Sequence, residues 1–154
     1  MNDMEVVTSL ITVISIILIP ILIIIIALSI VTIIAQWKFY KKCGKNGWEA
    51  IIPFYNNWIM IEIAGLNWWY FLILVAPSII TFIVENVILT NLLYLITKLI
   101  HFIIYYNIAK KTKQNDILFG ILGIFIPIVP IMILGFSKKI TYDKNIEVKP
   151  NGIF

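Results

Sequence analysis

The chain has 154 residues, of which 61% are hydrophobic and 13% are charged, and its formal net charge is +4. Soluble domains carry about 25% charged residues, so this composition excludes a soluble globular protein and predicts an integral membrane protein. All of the positive charge comes from lysine. We expect these lysines to contact anionic lipid headgroups. We expect no nucleic-acid partner, because no continuous basic face outside the apolar segments is long enough to bind one.

The first predicted element is an apolar helix over about residues 8–36. Residues 6–36 contain no formally charged side chain, and about 20 apolar residues suffice to cross a hydrocarbon core of about 30 Å. The segment is longer than the apolar region of a signal peptide and follows no basic residue. We therefore interpret it as a retained transmembrane helix, which Pro20 is expected to kink because proline lacks a backbone donor.

The long connection after this span contains a shorter apolar stretch at about residues 53–66. Asn56, Asn57 and Glu62 interrupt the stretch, and a helix of that length reaches only about 21 Å. We therefore expect an interfacial or shallow re-entrant helix that begins at Pro53 and does not cross the bilayer.

Three further apolar segments lie at about residues 68–84, 87–109 and 117–136. The first of them begins with a cluster of aromatic residues, which favour the headgroup level of a membrane. The last is interrupted by Pro127, so we expect it to be bent or partly unwound. The predicted fold class is an all-α integral membrane protein with about four transmembrane helices, one short interfacial helix and a polar tail at 137–154.

The lysines indicate the orientation of the chain. None precedes the first predicted span, whereas lysines follow that span and the third one, which places the N-terminus outside. Four complete crossings would also place the tail outside, although the tail carries lysines of its own, Lys138, Lys139, Lys144 and Lys149. We expect four crossings, with a fourth segment that turns back as the alternative.

The connection between the first two spans contains the pattern WKxYxKxGxxGWxxIIPxYN. Its members form an interfacial signature, Trp37, Lys38, Lys42, Gly44, Gly47, Trp48, Pro53, Tyr55 and Asn56. The pattern resembles that of a family of small bacterial multi-span membrane proteins of unknown function, some of which carry the name signal peptidase I. The resemblance implies a protein of the bacterial cytoplasmic membrane and supplies no mechanism. Cys43 departs from the pattern, since the family usually has a small residue such as alanine there.

The signature has two physical interpretations. Glycines at 44 and 47 allow a positive φ or a close approach of two segments, and the aromatic residues hold a segment at the membrane surface. The signature is then only a surface anchor. Alternatively, it forms a site for a lipid headgroup or a partner protein, built from Lys38, Lys41, Lys42, Trp48, Tyr55 and Asn56.

A second candidate site is a polar stripe in the third predicted span. Its members recur at intervals of three and four residues, which places them on one helix face. They are Asn91, Tyr94, Lys98, His101 and Tyr105. A lysine in the middle of a span costs at least about 2.5–3.5 kcal/mol on insertion, so Lys98 should face the protein interior. Glu62 and Glu85 are the candidate partners for an ion pair with it.

The stripe has three interpretations. It could hold helices together by hydrogen bonds, form a polar path or ligand pocket in which His101 titrates near neutral pH, or form a catalytic centre. Signal peptidase chemistry needs a serine and a lysine beside a soluble domain, for which this chain has neither the context nor the length. One cysteine and one histidine give no metal-ligand spacing. We therefore expect no enzymatic activity, no metal and no cofactor.

Two functions remain. The first is a small non-enzymatic membrane protein that acts as a scaffold or accessory subunit through a protein or lipid partner. The alternative is a component of an oligomeric transporter or channel that uses the polar face of the third span. One polar stripe cannot line a wide pore alone, so a channel would require a homo-oligomer or a membrane protein partner.

Overall fold

The computed structural model describes residues 3–84 and 86–146, and these residues form helices and connecting segments without any strand. The helices, in chain order, are α1 (Asp3–Lys42), α2 (Tyr55–Ala64), α3 (Trp69–Ile83), α4 (Val87–Lys111), α5 (Asp116–Phe125) and α6 (Ile128–Phe136), with a short 3-10 helix at Gly47–Ala50. The predicted all-α fold class is therefore confirmed for this part of the chain.

The first helix, α1, extends beyond both ends of the predicted segment 8–36. Between residues 6 and 36 it carries no charged side chain on any face, which is typical of a helix surrounded by lipid. Hydroxyl groups along it, such as those of Thr12 and Ser29, donate hydrogen bonds to the carbonyl oxygen four residues earlier (2.8 Å in both cases). Pro20 lies inside the helix without ending it.

Only the C-terminal part of α1 packs against the rest of the chain. Residues 16–30 are exposed on every side, whereas Ala35, Phe39 and Tyr40 are fully buried. These three residues belong to the hydrophobic core, to which α2, the C-terminal half of α4 and α6 contribute most of the other residues. The described chain therefore consists of a packed body and a long apolar helix that extends from it.

Within the described part of the chain, two helices are long and apolar enough to cross a membrane, judged by length and composition. They are α1 from Val7 to Lys42, and α4. The apolar helices α3 and α5 are shorter, and the 15 residues of α3 correspond to about 22 Å. The predicted number of four transmembrane helices is therefore not confirmed.

The fourth predicted span is divided into two short helices, α5 and α6. The first ends at Phe125 and the second begins at Ile128. Pro127 lies between them, and its ring cannot donate the backbone hydrogen bond that would continue α5. The predicted interruption of this segment is thus confirmed. The two helices have 10 and 9 residues and measure only about 15 Å and 14 Å.

After α6 the chain returns to the end at which α5 began. Only four residues separate the end of α4 from the start of α5. Asp143 donates its backbone N–H to the carbonyl oxygen of Lys111, the last residue of α4 (2.9 Å). The neighbouring Tyr142 donates its hydroxyl to the carbonyl oxygen of Ile63 near the end of α2 (2.9 Å). We call α5 and α6 the helical hairpin, and Ile126 with Pro127 its tip.

The short helix predicted within residues 53–66 is α2. It begins two residues after Pro53 and ends before Gly65, whose φ of 75° is the left-handed conformation common at helix ends. Ile59 and Ile63 are almost fully buried, so one face of α2 belongs to the core. Its location at the membrane surface remains a prediction.

Candidate functional site

The polar stripe lies along α4 and changes from exposed to buried along the helix. Asn91 and Tyr94 are exposed, Lys98 and His101 are half-buried, and Tyr105 is buried. The cause is the length of α5, which has only 10 residues and covers only the C-terminal half of α4. The five residues thus share one helix face but not one environment.

Lys98 contacts the end of α5. Its Nζ donates a hydrogen bond to the carbonyl oxygen of Ile124 (2.9 Å) and lies 5.1 Å from the centroid of the Tyr94 ring. Carbonyl groups in the last turn of a helix lack partners within the helix and carry the negative end of its dipole. The ammonium group of Lys98 supplies a hydrogen-bond donor and a positive charge at this helix end, so Lys98 stabilises α5, the first half of the hairpin.

The predicted ion pair between Lys98 and Glu62 does not form. Glu62 pairs instead with Lys45, and both side chains are partly exposed. The hairpin lies beside Lys98 and offers a carbonyl oxygen, whereas Glu62 lies on α2 close to the end of α1. The other candidate partner, Glu85, lies outside the described residues.

Tyr105 connects α4 to the tip of the hairpin. Its hydroxyl donates to the carbonyl oxygen of Pro127 (3.2 Å), directly before α6. The close approach requires glycine on α5, because a Cβ at Gly123 would lie only 2.9 Å from the Cβ of Tyr105. Lys98 and Tyr105 therefore hold the two carbonyl groups around the break between α5 and α6.

A cavity of about 130 Å³ lies beside the stripe, between α1, α2, α3 and α4. Its lining residues are Gln36, Asn57, Met60, Leu74, His101, Ile104 and Tyr105. The Nδ1 atom of His101 lies 2.8 Å from the carbonyl oxygen of Thr97. Because a carbonyl oxygen only accepts, Nδ1 carries the proton, and Nε2 of the neutral ring is an acceptor.

A chain of side-chain hydrogen bonds runs from this cavity towards the packed body. The Nδ2 atom of Asn56 donates to Oε1 of Gln36 (3.0 Å), and the hydroxyl of Tyr40 donates to the backbone oxygen of Asn56 (3.0 Å) and contacts its Oδ1. These bonds join α2 to α1. Satisfied polar groups in a core fix the positions of the elements that they connect. Asn56 therefore holds α2 against α1.

The lysines of the signature attach α6 to α1. The Nζ atom of Lys42 donates to the carbonyl oxygens of Leu134 and Ser137 (2.7 Å each), and it thereby caps the C-terminus of α6. Lys38 Nζ lies 4.7 Å from the centroid of the Phe136 ring. Both lysines therefore contact the second half of the hairpin.

The glycines of the signature have the two roles predicted for them. Gly44 has a φ of 74° and lies two residues after the end of α1. A Cβ at Gly47 would overlap the indole ring of Trp37, so this glycine permits a close approach. Trp48 and Tyr55 are exposed and stacked on each other, with ring centroids 6.4 Å apart.

Among known proteins, a family of unknown function, DUF5684, matches residues 48–145 of this chain. The match covers more than half of the sequence. The chain belongs to this family. No curated protein and no solved structure matches it.

The DUF5684 match contains α2 to α6 and therefore the helical hairpin and the whole polar stripe. It also contains every residue that lines the cavity except Gln36. The part of α1 that packs against the body, from Ala35 to Lys42, precedes the matched segment. In this DUF5684 protein, the cavity and the attachment of α6 are completed by residues outside the family match.

Cys43 lies at the packed end of α1, close to several lysines. Burial raises the pKa of its thiol to about 12, although the charges of Lys42, Lys111 and Lys45 act in the opposite direction. The thiol is therefore protonated at neutral pH and reacts slowly with maleimides, which require the thiolate. Topology mapping by cysteine labelling consequently needs a cysteine placed elsewhere.

Among the residues that the structure describes, two buried charged side chains lie outside the predicted sites, Glu49 and Lys111, each 6% exposed. Glu49 Oε1 accepts a hydrogen bond from Asn46 (3.2 Å), while Oε2 has no partner among the described residues. Lys111 Nζ lies 5.8 Å from the centroid of the Tyr142 ring. The only sequence signal for Glu49 is its position inside the signature, and the terminal turn of a helix gives no signal that Lys111 is buried.

The described side chains form a packed core and one polar cavity. In residues 3–84 and 86–146, no three His, Cys, Asp or Glu side chains lie together as metal ligands would. The cavity instead presents amide groups, one imidazole and one phenol beside three aliphatic side chains. Such a lining can hold an uncharged polar molecule.

Proposed function

We propose that this DUF5684 protein is an integral membrane protein with three complete crossings, α1, α3 and α4, and a re-entrant helical hairpin. The lengths and composition of α1 and α4 support it. The third crossing, α3, is short but follows Trp68 at a cluster of aromatic residues, which favour the headgroup level. Each hairpin helix measures about half of a hydrocarbon core of about 30 Å, and the contact of Asp143 with Lys111 supports a return to the same side.

This arrangement removes the conflict that four crossings leave in the lysine distribution. With the N-terminus outside and three crossings, the segment after α6 lies in the cytoplasm. Lys138, Lys139 and Lys144 then share a side with the lysines at the ends of α1 and α4, as the positive-inside rule requires. The proposed location is the bacterial cytoplasmic membrane.

A cysteine introduced at Lys139 is expected to be protected from a membrane-impermeant maleimide in intact cells. It should react fully after the cells are opened, because Lys139 is exposed and the proposed topology places it inside. The native thiol is removed by Cys43→Ala, and Met4→Cys serves as the matched control that reacts from outside. Labelling of Lys139→Cys in intact cells would contradict the re-entrant hairpin and favour a fourth crossing.

We infer that the protein acts as a scaffold or accessory subunit that binds another membrane helix, and that it is not an enzyme. The outer part of the stripe carries this proposal. Asn91 and Tyr94 are exposed on α4, whereas Lys98 and Tyr105 have partners inside the chain. Asn91 makes no side-chain hydrogen bond to the described residues, and an amide within a membrane gains stability by pairing with a neighbouring helix.

Photocrosslinking in living cells tests this partner surface. A benzophenone amino acid at Tyr94 is expected to give one discrete protein adduct. The yield of this adduct should fall about 3- to 20-fold in Asn91→Leu, because an interhelical hydrogen bond contributes about 0.6–1.7 kcal/mol. The same amino acid at Leu92, which is exposed on the opposite side of α4, is the matched control and should give no such adduct. Adducts with lipid alone at both positions would refute the proposal.

A transporter or channel component is the second candidate, and the hairpin tip favours it. Interrupted helices beside polar cavities are common at the binding sites of transporters, and Tyr105 both lines the cavity and bonds to Pro127. This function would require several copies of the chain.

Proton flux into liposomes separates the two functions. For the scaffold we expect wild type, Lys98→Met and His101→Ala to give no flux above that of protein-free liposomes. Lys98→Met leaves the carbonyl of Ile124 without its partner and is expected to lower stability by about 1–3 kcal/mol, so the folded fraction must be measured first. Flux in wild type that is lost in folded His101→Ala would support transport instead.

A further inference from the structure

Three polar groups that line the cavity are not satisfied by the described residues. Gln36 uses Oε1 to accept from Asn56, which leaves its amide N–H groups. The side-chain amide of Asn57 makes no hydrogen bond to the residues that the structure describes. His101 presents Nε2 as an acceptor, because Nδ1 is used by the carbonyl of Thr97. Donors and acceptors from α1, α2 and α4 therefore converge on one space.

The remainder of the lining consists of the apolar side chains of Met60, Leu74 and Ile104 and the ring of Tyr105, whose hydroxyl is bonded to Pro127. The free amide groups of Gln36 and Asn57 are half-buried and are not sealed in the core, so an occupant of the cavity can pair with them. One water needs about 10–15 Å³, so a cavity of about 130 Å³ has room for a small organic molecule. No lining residue carries a fixed charge, and an ion would lose its hydration without a compensating partner.

We propose that this cavity is a binding site for a small uncharged molecule with an amide-like polar end and a short aliphatic part. The carbonyl oxygen of such a ligand accepts hydrogen bonds from the amide groups of Gln36 and Asn57. Its N–H group donates to Nε2 of His101, and its aliphatic part contacts Met60 and Leu74. This site depends neither on the partner helix at Asn91 nor on the number of membrane crossings.

The single histidine of the chain makes the test specific, since every imidazole signal in the spectrum of ¹⁵N-histidine-labelled protein belongs to His101. The purified protein is titrated with propionamide, and with propionate and propylammonium as charged molecules of similar size. We expect propionamide to give a saturable shift with a Kd of about 1–10 mM, as for a ligand of few atoms. The two charged molecules should give none.

Two variants connect the shift to the cavity. Asn57→Leu and Gln36→Leu are expected to weaken propionamide binding about tenfold, since each loses a hydrogen bond. Asn67→Leu is the matched control, because Asn67 is exposed and does not line the cavity, and it should bind like wild type. If the leucine variants do not fold, Leu74→Phe reduces the cavity volume and should abolish binding. An unsaturated shift in wild type, or equal shifts with the charged molecules, would overturn the proposal and leave a cavity that holds only water.

Discussion

Replacement of Gly135 by valine is expected to separate α6 from α1 and to lower the free energy of unfolding by about 3 kcal/mol. A Cβ at Gly135 would lie 2.7 Å from the Cα and from the carbonyl carbon of Ala35. Both atoms belong to the backbone of α1, so no change of a side-chain rotamer relieves the overlap. The helices must move apart, and the contacts of Leu134 and Ala35, which are both fully buried, are then weakened.

Unfolding of the purified protein in detergent by heat or by a denaturing detergent measures this effect. Ala27→Val is the matched control, because it enlarges a residue that is exposed on the same helix, α1, and should change stability little. Gly135→Ala should lie between valine and wild type. Equal stability of Gly135→Val and wild type would show that α6 does not rest on α1 in solution.

The elements that follow from local sequence could be predicted. Unbroken apolar length predicts α1 and α4, because only a helix satisfies the backbone of such a segment in lipid. Pro127 predicts the interruption between α5 and α6, since proline cannot donate the next backbone hydrogen bond. Gly44 and Gly47 predict a positive φ and a close approach for the same kind of local reason.

The return of the hairpin could not be predicted from the segment alone. Twenty apolar residues with a proline are equally compatible with one bent span and with two half-length helices, because both satisfy the same length rule. Contacts between residues distant in sequence favour the two half-length helices. Examples are the contacts of Lys42 with Leu134 and of Asp143 with Lys111. Sequence periodicity contains no information about which segments meet.

The candidate site was predictable in one helix and not across helices. Helical spacing places Lys98, His101 and Tyr105 on one face of α4, but their partners come from other elements. Lys98 donates to a backbone carbonyl of α5. A pattern of charged residues identifies only charged partners, so the sequence predicts a carboxylate as the partner of Lys98. The cavity beside His101 combines Gln36 of α1 with Asn57 of α2, and a single-helix pattern cannot show this combination.

Replacement of Lys42 by methionine is expected to release the end of α6 and to lower the free energy of unfolding by about 2–3 kcal/mol. The Nζ atom of Lys42 donates to the carbonyl oxygens of Leu134 and Ser137, each at 2.7 Å. Methionine has a similar length and fills similar volume, but it cannot donate to either oxygen. Two terminal carbonyl groups of α6 then lose the partner that satisfies them and the positive charge that opposes the helix dipole.

Lys41→Met is the matched control, because Lys41 precedes Lys42 on α1 and is exposed, with its Nζ 5.7 Å from the Trp37 ring centroid. It should lose less than about 1 kcal/mol, as is usual for an exposed charge. Lys42→Arg should retain part of the stability, since a guanidinium group can still donate to one of the carbonyl oxygens. If Lys42→Met and Lys41→Met unfold alike, the cap on α6 contributes nothing. The hairpin must then be held on α1 by the close approach at Gly135 and by the contact of Lys38 with Phe136.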